Sequence, residues 1–521
     1  MLPSTETLVP GVRPFLPEGP DGFADTPEAV YREVVPMEDG DTLDLKATFV
    51  RRTVKEYEFI AYGFNGQYPG PLIRVDQGST ITVRFTNAID WPSTVHWHGV
   101  RIENRFDGVA GVTQELVMPG ETFTYEVVFP DAGIYWYHPH HRSEVTQGLG
   151  LFGNILVDSP DPEYYGPANR DEVLILDDLL FDGAGLLPYG GDAATHAMMG
   201  RFGNVLLVNG KPDYELALDR GEVVRIHLTN ASATRTYNLS FSDGTPMKLV
   251  ASDLSRLERE QWTEGVVIAP AERYVIEVRF DEPGARALVN EVRAINHMHG
   301  TFYTQRDTLV VVPVSNTPAD PDFEGDYRQL RQNQVVSDDI DPFRPLFDKA
   351  VDHSLTLQLR IDAEELPLPI VNFMQIDTFY FPPVEWNDAM PDMNWLATTE
   401  NFQWFLRDDD TGNENLSIDW SFEHGDVVKL RIFNDPTSVH PMQHPIHLHG
   451  QRFLVLEQDG VPRTNLVWKD TTLVPTGSTV VLLVEMSNPG KWMLHCHISE
   501  HLGAGMKMVF TVDEAGAESS R

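Results

Sequence analysis

Three stretches of this chain repeat one pattern: RVDQGSTITVRFTN (residues 74–87), ALDRGEVVRIHLTN (217–230) and SFEHGDVVKLRIFN (421–434). In each, a glycine stands nine residues before an asparagine: Gly78 before Asn87, Gly221 before Asn230, Gly425 before Asn434. Between them apolar and polar residues alternate, the period of a strand with one buried face. A second pattern follows each first one, in PGETFTYEVVFPDAGIYWYH (119–138), PAERYVIEVRFDEPGARALV (270–289) and TGSTVVLLVEMSNPGKWMLH (476–495). It is an alternating strand, then a glycine and, five residues on, His138, Val289 or His495. Three copies of one strand-rich unit demand an internally repeated fold. With frequent Gly and Pro turns and few helical stretches, the expectation is an all-β chain of three tandem Greek-key β-sandwich domains.

The expected boundaries are 1–163, 164–320 and 321–521, with polar, proline-containing junctions at 157–172 and 314–329. A length of 521 residues agrees with about three domains. Segment 323–352 reads as a helical or irregular connector, and a helix is expected at 499–505.

The formal charge of −39 disfavours phosphate backbones and anionic lipid, so neither nucleic acid nor a membrane surface is an expected partner. No run approaches the roughly twenty apolar residues of a spanning helix. The first residues show neither the basic region nor the apolar core of a secretory signal. Two readings of location stay open, a cytoplasmic protein or an exported one whose leader precedes this chain. A monomer is the expected state.

Cys496 is the only cysteine, so no intrachain disulfide forms, yet it stands in HCHISEHLGAGM (495–506) between two histidines and ahead of another histidine and a methionine. An ordinary buried thiol needs no such company, whereas soft metal ligation does. Most of the eighteen histidines fall in four clusters: TVHWHGV (94–100) and YHPHH (137–141) in the first repeat, HPIHLHG (444–450) and HCHISEH (495–501) in the third. Alternate residues of a strand face one side about 6.5–7 Å apart, so a His-x-His pair can serve two ions of a compact cluster. The middle repeat has Leu239 and Phe241 where the first has its HWH histidines, and Val289 in place of His138. Metal binding therefore belongs to the outer domains, with the middle one a spacer. Eight imidazoles, those of His96, His98, His138, His140, His447, His449, His495 and His497, are enough to cage three ions between domains one and three. His444, Cys496, His501 and Met506 remain, the ligand list of a blue-copper site.

With these motifs in place the chain resembles the three-domain, laccase-like multicopper oxidases, over about residues 45–512. The resemblance implies cupredoxin-like domains and four Cu ions. It carries His444, Cys496 and His501 to the type 1 copper, with Met506 as weak axial ligand. His96 and His447 go to type 2, and His98, His138, His140, His449, His495 and His497 to the type 3 pair. It implies four one-electron oxidations of phenolic or aromatic amine donors coupled to reduction of O₂ to two waters. Oxidation of Cu(I) or Fe(II), or electron transfer without catalysis, are the alternatives. The axial Met implies a lower potential than relatives with Leu or Phe there. The family's first proton-relay acid sits in an Asp-Gly nine residues beyond HWH, which is Asp107 here. Positions of the second hold Ser499 and Leu502, a departure that leaves Glu500 as the nearby substitute. His141, the HMHG at 297–300, His196, His227, His353, His424 and His440 are read as non-ligands. Met198, Met199, Met390, Met393 and Met442 are read as core rather than as a thioether site.

Overall fold

The strands of the first repeated pattern become the middle of three sheets with one topology. Thr80–Asn87 pairs antiparallel with Thr122–Val128 and parallel with Thr42–Val54. Val223–Asn230 pairs likewise with Arg273–Arg279 and Arg170–Leu179. Val427–Asn434 does so with Thr479–Glu485 and His353–Ile361. These relations come from a computed structural model, which describes residues 14–190, 193–296, 301–361, 384–386, 402–438 and 440–514.

Each repeat closes a second sheet over the first; among the described residues the pairs hold four and five, six and seven, and seven and five strands, the middle seven including Val384–Trp386 from the third repeat. The sheets are mixed, because an earlier strand of each repeat runs parallel to the central one. The strands that matter most are β1 (His96–His98), β2 (Gly133–His138), β3 (His444–Leu448) and β4 (Gly490–Cys496). β1 pairs with β2, setting His96 opposite His138, and β3 pairs with β4, setting His447 opposite His495. In the middle domain the pairing is offset by one residue, so Val289 stands opposite Ser240 rather than Leu239, while Leu239 and Phe241 enter the core.

Both repeated signatures have a backbone cause. Gly133, Gly284 and Gly490 open their strands at φ 149°, 135° and 134°, a region closed to residues with a Cβ. The closing asparagines are buried and turn back on the next loop. Nδ2 of Asn87 donates to the Trp91 and Val117 carbonyls at 2.7 and 2.8 Å, and that of Asn230 to Arg235 and Ile268 at 2.7 and 2.9 Å. Asn434 donates to Met442 and Val474 at 2.6 and 3.0 Å. In the outer domains the stapled loop leads into β1 or β3.

Alternating burial holds for Thr80–Asn87 and Val427–Asn434. Val223–Asn230 is buried on both faces, unlike the half-buried strand its pattern implies. Its polar face is covered: Thr229 accepts from Asn154 of domain one, and Arg225 and His227 pair with Glu277 and Asp171. The core of domain one continues into Leu454, Leu466, Trp468 and Leu483 of domain three, so the outer domains pack on each other directly. The connector after residue 323 holds helical turns at Glu324–Tyr327, Gln334–Ile340 and Asp341–Leu346. Three short helices lie near the ligand strands: α1 (Ser143–Thr146), α2 (Ala193–Met199) and α3 (Ser499–Gly503). Among the described residues no helix is long and apolar enough to cross a membrane.

Candidate metal centres

Where domains one and three meet, the eight cluster histidines converge, none more than 8% exposed. Their ring nitrogens gather in threes within 4.8 Å of one another: His98 with His138 and His497, His140 with His449 and His495, and His96 with His98 and His447. A separate group holds His444, Cys496 and His501. Strand alternation sends His495 and His497 into different imidazole triads while Cys496, between them, turns to the other assembly.

Hydrogen bonds decide which nitrogen each ring presents. Nδ1–H of His96 donates to the Asp107 carbonyl at 2.8 Å, and that of His447 to the Asp470 carbonyl at 2.9 Å. Nδ1–H of His138 donates to Pro139 at 3.0 Å, that of His495 to Cys496 at 2.8 Å, and that of His449 to Oδ2 of Asp107 at 2.9 Å. Each of these rings therefore turns Nε2 inward. His98 is reversed: its Nε2–H donates to Oδ1 of Asp470 at 3.1 Å, leaving Nδ1 inward.

Burial, reinforced by neighbouring imidazoles, pushes the pKa values of His138, His140, His449, His495 and His497 well below the usual range. Burial does the same at His98, against the pull of Asp470. The rings are accordingly neutral donors. Nε2 of His96, His138 and His447, Nδ1 of His98 and both nitrogens of His497 are buried without hydrogen-bond partners. Nε2 of His495 lies 3.3 Å from that of His140 and 3.0 Å from that of His449. Dry lone pairs turned on one another are costly unless cations join them, so this donor set fits metal ions.

The second assembly fits one soft ion. Sγ of Cys496 lies 3.5 Å from Nδ1 of His444 and 3.8 Å from Nδ1 of His501, and the two nitrogens are 3.3 Å apart. Burial lowers His444 to about 3 and pushes the thiol up, so metal binding is what draws the proton from sulfur. Met506 is fully buried in the same core cluster, and its carbonyl accepts from the Cys496 N–H at 3.1 Å. The Trp404 ring meets both imidazoles, edge-on to His444 at 4.8 Å between centroids and tilted against His501 at 4.3 Å.

Asp107, 1% exposed, sits between the rings, with Oδ1 3.2 Å from Nδ1 of His96. Its neighbour must be glycine: Gly108 has φ 83°, and a Cβ there would lie 2.0 Å from the Val95 carbonyl oxygen. Glu500, on α3, turns instead to domain two, accepting from Thr234 Oγ1 at 2.9 Å, and burial raises it to about 7. His141 is half-buried beside Arg142 and Lys507, away from the imidazole triads. His227, His353 and His424 bond Asp171, stack on Trp420 and bond the Ser487 carbonyl. His440 has φ 60° and lies near His501. Met198, Met199 and Met442 pack in the core of domain three. The HMHG segment, Met390 and Met393 lie outside the described residues. Sequence reading missed Asp470, Thr471 and Arg273. Asp470 and Thr471 are spoken for only by the WKDTT run at 468–472, and Arg273 stands 197 positions from its partner.

Three sandwiches with a buried thiol–imidazole site chained to a nest of eight imidazoles define a blue-copper oxidase. Models of multicopper oxidases match residues 47–162, 165–310 and 385–516. The chain belongs to the multicopper oxidase family, copper-dependent oxidoreductases that use O₂, and its domains are cupredoxin-like. Its two assemblies are consistent with the type 1 and trinuclear copper sites of that family. Oxidoreductase tpcJ of Aspergillus fumigatus is 29% identical, over 87% of this chain and 80% of its own. Laccase-1 of Fomitopsis schrenkii is 26% identical, over 86% and 82%. A multicopper oxidase of Campylobacter jejuni, a metallo-oxidase, shares the fold at a TM-score of 0.72 and 20% identity, over 97% of this chain and 100% of its own.

Proposed function

We propose that this enzyme is of laccase type, taking single electrons from phenols or aromatic amines at a type 1 copper and reducing O₂ to two waters at a trinuclear cluster. In this reading His444, Cys496 and His501 hold type 1, with Met506 axial. His96 and His447 hold type 2, and His98, His138, His140, His449, His495 and His497 hold the type 3 pair. Four coppers supply the one-electron steps that no side chain here can supply.

The chain's own residues do the rest. Cys496 is bonded through the backbone to His495 and His497, so one covalent path joins the two assemblies. Asp107 orients His449 and His96 and is the acid closest to both, the place for a proton on its way to oxygen. Glu500, beside His501 on α3 with Oε1 buried and, among the described residues, without a hydrogen-bond partner, is the candidate for a second route, since a carboxyl near pKa 7 can both give and take a proton at neutral pH.

The observation that carries the choice of donor is the buried Trp404 ring, which packs against both type 1 imidazoles and gives an electron an aromatic path inward without coordination of the donor. Among the described residues every group of three His, Cys, Asp or Glu donors belongs to the two assemblies, so none is set aside for a metal-ion substrate. Oxidation of Cu(I) or Fe(II) is the second reading, favoured by the thioethers of Met198, Met199 and Met442 in the same core as Cys496. Oxygen uptake by copper-loaded protein, compared between a dimethoxyphenol and Cu(I) or Fe(II), tests the choice. A kcat/KM higher for the metal ion overturns the laccase reading.

A further inference from the structure

Among the described residues the middle domain supplies none of the clustered imidazoles, yet it reaches them. Arg273 has no exposed surface, and its Nη1 and Nη2 donate to Oδ1 and Oδ2 of Asp470 at 2.8 and 2.6 Å. Its Nε donates to the Ile134 carbonyl at 3.2 Å, on the strand that carries His138. Its own N–H donates to Asp253 at 2.8 Å. One side chain of domain two thus joins domains one and three beside the imidazoles.

Asp470 and Asp107 brace the rings in the same manner. Each accepts from one histidine with its carbonyl and from a histidine of the other domain with its carboxylate: His447 and His98 for Asp470, His96 and His449 for Asp107. They differ in support. Among the described residues Asp107 meets no arginine or lysine, whereas Asp470 is gripped on both oxygens. They also differ in consequence, since the bond to Asp470 turns Nδ1 of His98 inward. A planar guanidinium fixes a carboxylate's rotation as well as its position.

We propose that Arg273 is a positioning residue for the trinuclear site, holding Asp470 in the one orientation that makes His98 present Nδ1 to the group it forms with His138 and His497. Domain two is then a working part of the site. Losing the grip frees Asp470 to rotate and His98 to turn its ring, which removes one of three donors. Thr471 Oγ1, 3.2 Å from Nε2 of His98 and 2.7 Å from Oδ1 of Asp470, cannot replace it, for it leans on the same carboxylate.

The inference rests on the copper reading above, and the experiment separates the two. Arg273→Gln and Arg273→Lys are compared with Arg225→Gln, which removes another buried arginine of domain two, paired with Glu277. Copper per chain under chelator competition, the blue type 1 band, the type 3 near-ultraviolet band and unfolding of the copper-free proteins are measured. The expected result for Arg273→Gln is a retained blue band with cluster copper bound about 10–100-fold more weakly. Arg273→Lys falls between, since it keeps the charge and loses the paired geometry. Arg225→Gln unfolds at lower temperature but holds all its copper at native affinity. Native copper content and affinity in Arg273→Gln overturn the proposal, as does parallel loss of type 1 and cluster copper. A native chain that loads a single copper overturns the copper reading itself and this inference with it.

Discussion

Replacing Asn434 with alanine removes two hydrogen bonds, to the Met442 and Val474 carbonyls, from a site only 2% exposed. Neither carbonyl gains water in exchange. Each lost bond costs about 1–1.5 kcal/mol, hence about 2–3 kcal/mol in all, because an under-satisfied carbonyl is better tolerated than an orphaned N–H. For a domain of this size that lowers the unfolding temperature by about 5–10 °C. Asn230→Ala loses the equivalent pair and also the bond its Oδ1 accepts from Ser232, so its cost is equal or greater. The two variants part at the metal. Met442 lies two residues before His444, and Val474 is paired with His444 across the sheet. Asn434→Ala should therefore shift and broaden the blue band of the loaded protein, while Asn230→Ala leaves it unchanged. Calorimetry of the copper-free variants and visible spectra of the loaded ones measure both effects. A change under about 0.5 kcal/mol for Asn434→Ala, the scale of neutral surface substitutions, would refute the stapling argument. So would equal disturbance of the band by both variants.

Cys496→Ser should lose the blue band and oxidation of every donor while keeping cluster copper, because His495 and His497 stay in place; elemental analysis with absorbance checks this. Asp107→Asn should slow oxygen reduction about 10–100-fold with anaerobic reduction of type 1 unchanged, as stopped-flow would show. Glu500 is raised from 4.5 to about 7, so the native state keeps a proton that the unfolded chain has released. Its contribution to stability is full below 4.5 and is lost as pH rises to about 7. Glu500→Gln should flatten the fall in unfolding temperature across that window; an unaltered slope would show that another group sets it.

Much of the fold was legible because its signals are local. A period of two marks a strand wherever it lies, and the glycines at φ 134–149° are needed wherever the chain turns that way. The histidine clusters were legible for the same reason, since alternation decides that His495 and His497 part from Cys496 before any neighbour is known. Burial of Val223–Asn230 on both faces was not legible, because it depends on Asn154 and Asp171 from beyond that strand. Nor was the aim of Glu500, which Thr234 of another domain sets.

By itself the order of residues determined three alike sandwiches, two of them bearing the histidine clusters, and a thiol flanked by imidazoles on opposite sides of one strand. Tertiary structure decided which rings meet, which nitrogen each presents, and that Arg273 of the middle domain grips Asp470. The physical reason is range. Strand period acts over neighbouring residues, whereas a ring's tautomer answers to a partner within about 3 Å that lies hundreds of positions away, as Asp470 does from His98.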